Sequence, residues 1–231
     1  MSAAANSLFD RRGWWDDECG EFRSLRAVNA FRLDLLRRWL ATGVKGTVVV
    51  DLGCGGGLFA APLAEAGARV VGVDLGHCAL RECRAHAGSG LQAVVGDVQN
   101  APIADGCADL VLLADVLEHV PSPQAAVASA ARLLRPGGAL FVNTIARTRR
   151  SRWLAIGLAE GLGYVPRGTH RWADFVQPTE LDAMASAAGL VREQRVGEQP
   201  MLLRTLRTGA IQLRESRSLA VGYAALYRRA G

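Results

Sequence analysis

A parallel α/β sheet with helices on both faces is the fold class that this sequence predicts, and three observations predict it. From Thr47 onward, short β-branched runs alternate with amphipathic segments of helix length: TVVVDL, LFAAPLAEAG, ARVVGVD, HCALRECRAHAG, LQAVVGD, CADLVLLAD, PSPQAAVASAARLLRPGG and ALFVNTI. Regular alternation of the two patterns is the mark of βαβ units. Gly67, Gly88 and a Pro136-Gly137-Gly138 turn stand where helices should end, while Pro121 and Pro123 stand where one should begin. Finally, the first strand runs into four glycines within the five residues 53–57, at the strand end where open α/β sheets hold ligands.

Outside this core, LRAVNAFRLDLLRRWLA (25–41) predicts a helix before the first strand. After the fifth strand come an apolar stretch behind arginines, a helix from Thr179 to Ala188, a strand near Leu190 to Val196, and a last strand-like run, SLAVGYAALY. A chain of 231 residues that is half apolar can bury one sizeable core. We therefore divide a single domain into an N-terminal helical cap (1–45), a ligand-binding core (46–145), an insert (146–177) and a C-terminal helix with strands (178–231).

Composition narrows the class. No stretch reaches the roughly 18 uncharged residues of a membrane span, and the first residues lack a secretory or transit pattern, so a cytoplasmic location is expected. The five cysteines (Cys19, Cys54, Cys78, Cys83 and Cys107) are odd in number and lack CxxC spacing, which predicts reduced thiols and no zinc ribbon. The formal charge is +5, but 26 of the 27 basic residues are Arg, a skew that does not by itself argue for nucleic acid, and none is expected as a partner. Residues 1–146 carry 13 basic and 15 acidic side chains and residues 147–231 carry 14 and 7, so the positive excess is C-terminal. The oligomeric state is not legible.

Three ligands compete for the glycine loop. A P-loop needs Gly-Lys-Ser/Thr, and the only lysine, Lys45, lies upstream of the strand. A dinucleotide loop needs G-x-G-x-x-G, but the sixth position after Gly53 and Gly55 is Leu58. The glycines instead fall at alternate places, Gly53, Gly55 and Gly57, behind Asp51. This D-x-G-x-G-x-G resembles the class I S-adenosylmethionine-dependent methyltransferases, whose Rossmann-like sheet is mostly parallel and seven-stranded. A loop without Cβ atoms lets a cofactor lie against backbone. Asp74, ending the second strand 21 residues past Gly53, suits ribose hydroxyls. Asp97 ends the third strand; in such methyltransferases an acid there commonly meets the adenine amino group, and the next N–H, here Val98, a ring nitrogen. As a lone residue, Asp97 is equally a helix cap.

Wider matches narrow the resemblance. WWDDECGEFRSLRAVNAFRLD, DLGCGGGLFAAPLAEAGARVVGVDLG, ADVLEHVPSP and YVPRGTHRWADFVQPTEL, in that order, resemble the ubiquinone-biosynthesis O-methyltransferases, which methylate catechol-type hydroxyls on polyprenylated rings. The resemblance implies S-adenosylmethionine as cofactor, S-adenosylhomocysteine as product, a small aromatic acceptor, and cofactor contacts at Arg32, Gly53, Asp74 and Ala114. Arg32 makes sense as a bidentate partner for the cofactor carboxylate. The chain departs from the family pattern where Asn-Pro reads Asn29-Ala30, Tyr-Asn-Pro reads Glu198-Gln199-Pro200, and Val-Asn-Tyr reads Val221-Gly222-Tyr223. These changes keep open a natural-product acceptor and, beyond it, a non-catalytic cofactor-binding protein.

Methylating a phenol requires a deprotonated oxygen. ADVLEHV supplies Asp115, Glu118 and His119 at the end of the fourth strand. The resemblance implies that these three hold a divalent metal such as Mg²⁺, with Asp in place of the first Glu; the alternative is that His119, with Glu118, acts as a base without metal. His170, in RGTHRW, is a second candidate base, whereas His77 and His86 are expected on a surface helix without a role. RSRWLAIGLAEGLGYVP (150–166), flanked by Arg147, Arg149, Arg150 and Arg152, reads as a lid that touches an anionic membrane surface peripherally, or as a helix packed in the core; the pattern is shared.

Overall fold

The structure, a computed structural model, describes residues 9–16, 20–86, 88 and 90–231. The β-branched runs become β1 (Val48–Leu52), β2 (Arg69–Asp74), β3 (Leu91–Val95), β4 (Ala108–Ala114) and β5 (Leu134–Ile145), all parallel. β6 (Leu190–Pro200), β7 (Leu213–Ser216) and β8 (Gly222–Arg229) extend the sheet antiparallel, in the order β3-β2-β1-β4-β5-β8-β6-β7. The sheet thus has eight strands where seven were expected. The extra one, β7, is the four-residue edge strand LRES, which has no apolar alternation to announce it.

The chain winds outward from β1 to β3 and then returns to β4 on the other side of β1. That reversal opens a crevice at the C-terminal ends of β1 and β4, where open sheets take ligands. Helices α1 (Gly20–Trp39), α2 (Ala60–Glu65) and α3 (His77–Ala85) precede it in the chain, and α4 (Pro123–Leu133) follows. Val49 of β1 packs with Leu33, Leu36, Leu63 and Leu80, whereas Val50 packs with Val127, Ala130 and Leu181. Adjacent residues enter different layers because side chains alternate across a strand. In α1, Val28, Arg32, Leu35 and Leu36 are buried together, an i, i+4, i+7, i+8 stripe that carries an arginine inward among apolar neighbours.

Local signals set most boundaries. Ser122 caps α4 by accepting from Ala125 N at 3.2 Å, with Pro123 in the first turn. The expected turn at residues 136–138 is instead a bulge inside β5: Leu134 pairs with Ala108 and Ala139 with Leu110, and Gly137 takes φ 75°. The expected 25–41 helix begins earlier, at Gly20.

The insert starts as one α-helical turn, α5 (Arg149–Ser151), capped by a reciprocal Thr148–Ser151 box, and continues as π-helical turns over Arg152–Glu160. One face of it lines the crevice and the other is exposed. Leu154, Ala155 and Ala159 line the crevice, whereas Trp153 is 61% and the following Leu162 57% exposed. Trp172 Nε1 donates to Thr148 O at 2.9 Å, and the Arg152 guanidinium lies 5.8 Å from the Trp172 ring. Beyond α6 (Pro178–Ala187) lies α7 (Leu202–Thr208), which the sequence did not predict; its Leu202, Leu203 and Leu206 are exposed, so no buried stripe marks it. Among the described residues no helix is long and apolar enough to cross a membrane. Cys54, Cys78, Cys83 and Cys107 are free thiols; Cys19 lies outside the described residues.

The bare glycine loop has an occupant from the chain itself. A Cβ built on Gly56 would lie 2.2 Å from Trp14 Cγ, and one on Gly55 2.3 Å from the far edge of the same indole. Trp14 in turn stacks on Phe22 at 4.4 Å, and Trp15 Nε1 donates to Gly56 O at 2.7 Å. Gly56→Ala should therefore overpack this contact at a cost of about 1–3 kcal/mol, lowering Tm and shifting tryptophan emission to the red. Thermal unfolding and fluorescence check this; an unchanged Tm and spectrum would show that Trp14 does not rest on the loop.

Candidate active site

The crevice at the β1/β4 ends gathers most of the residues singled out from the sequence: Arg32, Asp51, Gly53, Gly55, Asp74, Asp97, Val98, Ala114, Asp115, His119 and His170 line one cavity. Gly57 and Glu118 stand behind its wall. Gly53 adopts φ 80° and Gly57 φ 85°, a region that disfavours any side chain. A Cβ on Gly53 would meet Val116 Cγ2 at 2.5 Å, and one on Gly57 would meet Cys83 Sγ at 2.9 Å. The loop is drawn onto β2 by Gly53 N and Cys54 N, which both donate to Val73 O at 2.7 and 3.2 Å.

Asp74 ties this loop down from the other side. Its Oδ2 accepts Gly55 N at 2.9 Å and its Oδ1 accepts Gly76 N at 2.8 Å. Burial raises its pKa, and these N–H donors oppose the rise. A carboxylate has about four acceptor sites, so each oxygen retains capacity for a ribose hydroxyl. Asp51 is buried with Oδ2 lacking any hydrogen-bond partner, and burial, reinforced by the charge of Asp74, pushes its pKa up to about 7. An orphaned buried acceptor on the cavity wall fits a cationic or N–H-bearing ligand. Asp97 accepts Gln99 N at 2.9 Å and caps the short 3₁₀ turn Val98–Asn100. It is thus a cap and a wall residue at once.

Arg32 corrects an expectation. Its fork is not open for a cofactor carboxylate: Nε donates to both oxygens of Glu198 at 3.0 and 3.1 Å, one terminal nitrogen to Glu198 at 2.8 Å, and the other to Asp115. Burial works against the charge, but Asp115 and Glu198 outweigh it and raise the arginine's pKa further. Since guanidinium has five N–H donors, a ligand carboxylate would share Arg32 with these two acids.

The expected metal set is not gathered in the structure either. Among the described residues no cluster of three or more His, Cys, Asp or Glu side chains converges on a point where a metal would sit. Asp115 turns to Arg32 and to Asn143, whose Nδ2 donates at 2.9 Å; it is the one described non-glycine residue at positive φ, 53°. Glu118 is buried, accepts Thr144 Oγ1 at 2.6 Å and leaves Oε1 unpartnered. Burial and the nearby Asp115 push its pKa up to about 7. The His119 ring packs against Phe9 at 5.4 Å and His170 at 5.8 Å, and burial, with His170 beside it, pulls its pKa down to about 4. Three residues close in sequence thus diverge in space.

The structure adds partners that sequence reasoning missed. Glu160 bonds His170 through Nδ1 at 3.0 Å and through its backbone N at 2.9 Å. Glu198 and Asn143 fix Arg32 and Asp115. A signal existed for two of them: Glu160 is the sole charged residue between Trp153 and Pro166, and Asn143 interrupts an apolar strand. Buried polar groups of that kind need partners.

Comparisons with known proteins bear on the family and the fold. Residues 50–142 match a family described as a methyltransferase domain. The Idiomarina loihiensis ubiquinone biosynthesis O-methyltransferase is 42% identical over 77% of this chain and 74% of its own. The protein of the same name from Methylococcus capsulatus is 36% identical over 94% and 90%. Among solved structures, a Synechocystis magnesium protoporphyrin IX methyltransferase with bound S-adenosylhomocysteine superposes with a TM-score of 0.66 at 19% identity, over 94% of this chain and 91% of that one. A Thermotoga maritima methyltransferase gives 0.63 at 20% identity, over 89% and 91%. These last two speak for the fold alone.

Asp51 carries a pH signature. Its ordinary pKa is near 4 and its folded value about 7, so between these the folded protein holds a proton that the unfolded chain has released. Its contribution to stability is full below about pH 4, is lost as pH rises toward 7, and stays lost above. Asp51→Asn should therefore stabilise the protein at pH 8, on the order of 2 kcal/mol, with a gain that fades toward pH 4. Tm measured across that range checks it.

Proposed function

Because the chain belongs to the ubiquinone biosynthesis O-methyltransferase family, we propose that this cavity methylates one hydroxyl of a catechol-type ring on a prenylated quinone precursor, with His170 as the base. The chain is an S-adenosylmethionine-dependent O-methyltransferase; the acceptor and the residue roles are the proposal. The cofactor fits the residues present. Gly53 presents bare backbone to the cavity, Asp74 has acceptor capacity for ribose, Asp97 and Val98 edge the adenine end, and Ala114 completes the wall. Asp51 and Arg32 offer an acceptor and donors to its amino-acid end. When bound, S-adenosylmethionine supplies a methyl carbon whose bond to sulfur breaks as its bond to the acceptor oxygen forms.

The chain's own task is to ionise and align the acceptor. A phenol of pKa about 10 is about one part in a thousand ionised at pH 7, a deficit of roughly 4 kcal/mol. The observation that carries the base assignment is the His119–His170 pair, with ring centroids 5.8 Å apart on the cavity wall. His119, held neutral by burial, suits a hydrogen-bonding role toward the acceptor oxygen. His170, braced by a carboxylate at Nδ1, keeps Nε2 as its acceptor and takes the hydroxyl proton. The divalent-metal alternative would require Asp115, now bonded to Arg32 and Asn143, to turn toward Glu118 and His119. The natural-product alternative rests on the departures from the family pattern at Ala30, Gln199 and Gly222. Acceptor panels would separate the two.

His170→Ala should lower kcat by about 10²–10⁴-fold with cofactor affinity nearly unchanged, and His119→Ala should cost less. Isotope-labelled methyl transfer to a short-chain prenylated catechol measures this, with calorimetry for the cofactor. Full activity of His170→Ala would overturn the assignment. Activity lost to chelator and restored by Mg²⁺ would return the metal reading of Asp115, Glu118 and His119.

A prenylated acceptor resides in a bilayer, and the insert supplies a face to reach it. Exposed Trp153 and Leu162 stand among arginines that contribute about 1 kcal/mol each near an anionic surface and are screened by salt. Reversible binding to anionic vesicles should weaken as salt rises and be lost in the Trp153→Ser, Leu162→Ser double variant with cofactor binding intact. Leu154 is unsuitable for this test because it lines the cavity. Vesicle co-sedimentation decides it; no association at low salt would leave the insert as a lid alone.

A further inference from the structure

Glu160 is the only charged residue in the apolar run from Trp153 to Pro166, and it is buried. A carboxylate in that position needs a purpose, since burying one without partners is costly. Its oxygens are engaged in a specific way. Oε2 accepts Gly168 N at 2.8 Å, while Oε1 accepts both the backbone N of His170 at 2.9 Å and ring Nδ1 of His170 at 3.0 Å. Burial alone would raise the pKa of Glu160, but the His170 bond and these N–H donors hold it below the ordinary range. The carboxylate is therefore ionised and can only accept. The ring nitrogen facing it must then carry the hydrogen, and a neutral imidazole has only one.

We propose that Glu160 is the positioning residue of the reaction: it holds His170 as the Nδ1–H tautomer, so that Nε2 receives the acceptor's hydroxyl proton. This rests on the reading of His170 as the base. As the hydroxyl O–H breaks, its electron pair stays on oxygen and the proton passes to Nε2. The imidazolium so formed lies against the negative charge of Glu160, which takes no proton itself. After methyl transfer the proton leaves Nε2 for solvent. The titratable groups facing His170 are Glu160 from the π-helical turns and His119 and Glu118 from the segment after β4; of these only Glu160 contacts the ring through a hydrogen bond. Phe175 packs its edge at 5.8 Å and adds no charge.

The test is Glu160→Gln, which preserves shape and removes the charge. The single oxygen of Gln cannot serve both Gly168 N and the two His170 donors, and its NH₂ turned to the ring would favour the opposite tautomer. Nitrogen NMR of labelled enzyme should show the His170 ring as Nδ1–H in the parent protein and mixed or Nε2–H in Glu160→Gln. Methyl transfer to the short-chain prenylated catechol should fall about 10–100-fold in kcat, KM should change little, and the acid limb of the pH–rate profile should move to lower pH. Glu160→Asp, which keeps the charge, should recover part of the rate. A folded Glu160→Gln with parental tautomer, kcat and acid limb overturns the inference, while the same variant tested beside His170→Ala separates the two ideas. If His170→Ala is inactive and Glu160→Gln is not, Glu160 merely staples the loop. If both retain full activity, the base assignment itself fails. Should Glu160→Gln misfold, the tautomer of the parent enzyme still decides, because Nε2–H there is incompatible with the proposal.

Discussion

The buried guanidinium of Arg32 holds the site together. It rises from a helix at the start of the chain, grips Glu198 on β6 near its end, and reaches Asp115 at the close of β4. Removing one partner from such a group leaves an uncompensated charge and costs about 3–5 kcal/mol, so α1, the β4 turn and the antiparallel edge of the sheet are fixed to each other through one side chain. Asp115 then passes the constraint on. Its positive φ, a conformation costing on the order of 1–3 kcal/mol, is tolerable because Arg32 and Asn143 hold its carboxylate from two sides. The strained residue sets the path of the turn that carries Glu118 and His119.

Around this anchor the two ends of the cavity differ in kind. Backbone geometry and carboxylates on the parallel strands build the cofactor end, where the glycine loop and Asp74 brace each other through N–H donors. Side chains from the insert and the later strands close the other end, where Glu160 bonds His170 and Glu198 bonds Arg32. Charge is unevenly distributed between them: Asp51, Asp74, Asp115 and Glu198 approach with only Arg32 as a buried cation on the wall. Burial offsets part of this charge by raising the pKa of Asp51, and of Glu118 behind the wall, to about 7.

How much of this could be read from the chain follows from distance along it. The parallel strands were legible because Val-rich runs between glycine and proline boundaries have few alternatives, and the glycine loop with Asp51 and Asp74 was legible because its parts share one βαβ unit. β7 and α7 were not, since LRES lacks alternation and the leucines of α7 face outward. The residues of the proposed metal set are not gathered among the described residues, for a local reason. Residues 115, 118 and 119 are neighbours in text, but one sits at φ 53° and two on a tight 3₁₀ turn, so their side chains leave in different directions. The pairings that do organise the site, Arg32 with Glu198 and Asp115 with Asn143, join residues 166 and 28 positions apart. No local pattern encodes such pairs.

The sheet itself is divided, with β1 to β5 parallel and β6 to β8 antiparallel, and that division parts the glycine loop and Asp74 from Glu198. Substitutions in the antiparallel half would alter the cavity wall at Glu198, Leu213 or Gly222 and leave the glycine loop, written in earlier residues, unchanged. The halves meet along β5 and β8, which pair over seven residues, and at Arg32, which grips Glu198 on β6, so a change at Glu198 would leave that buried arginine short of a partner.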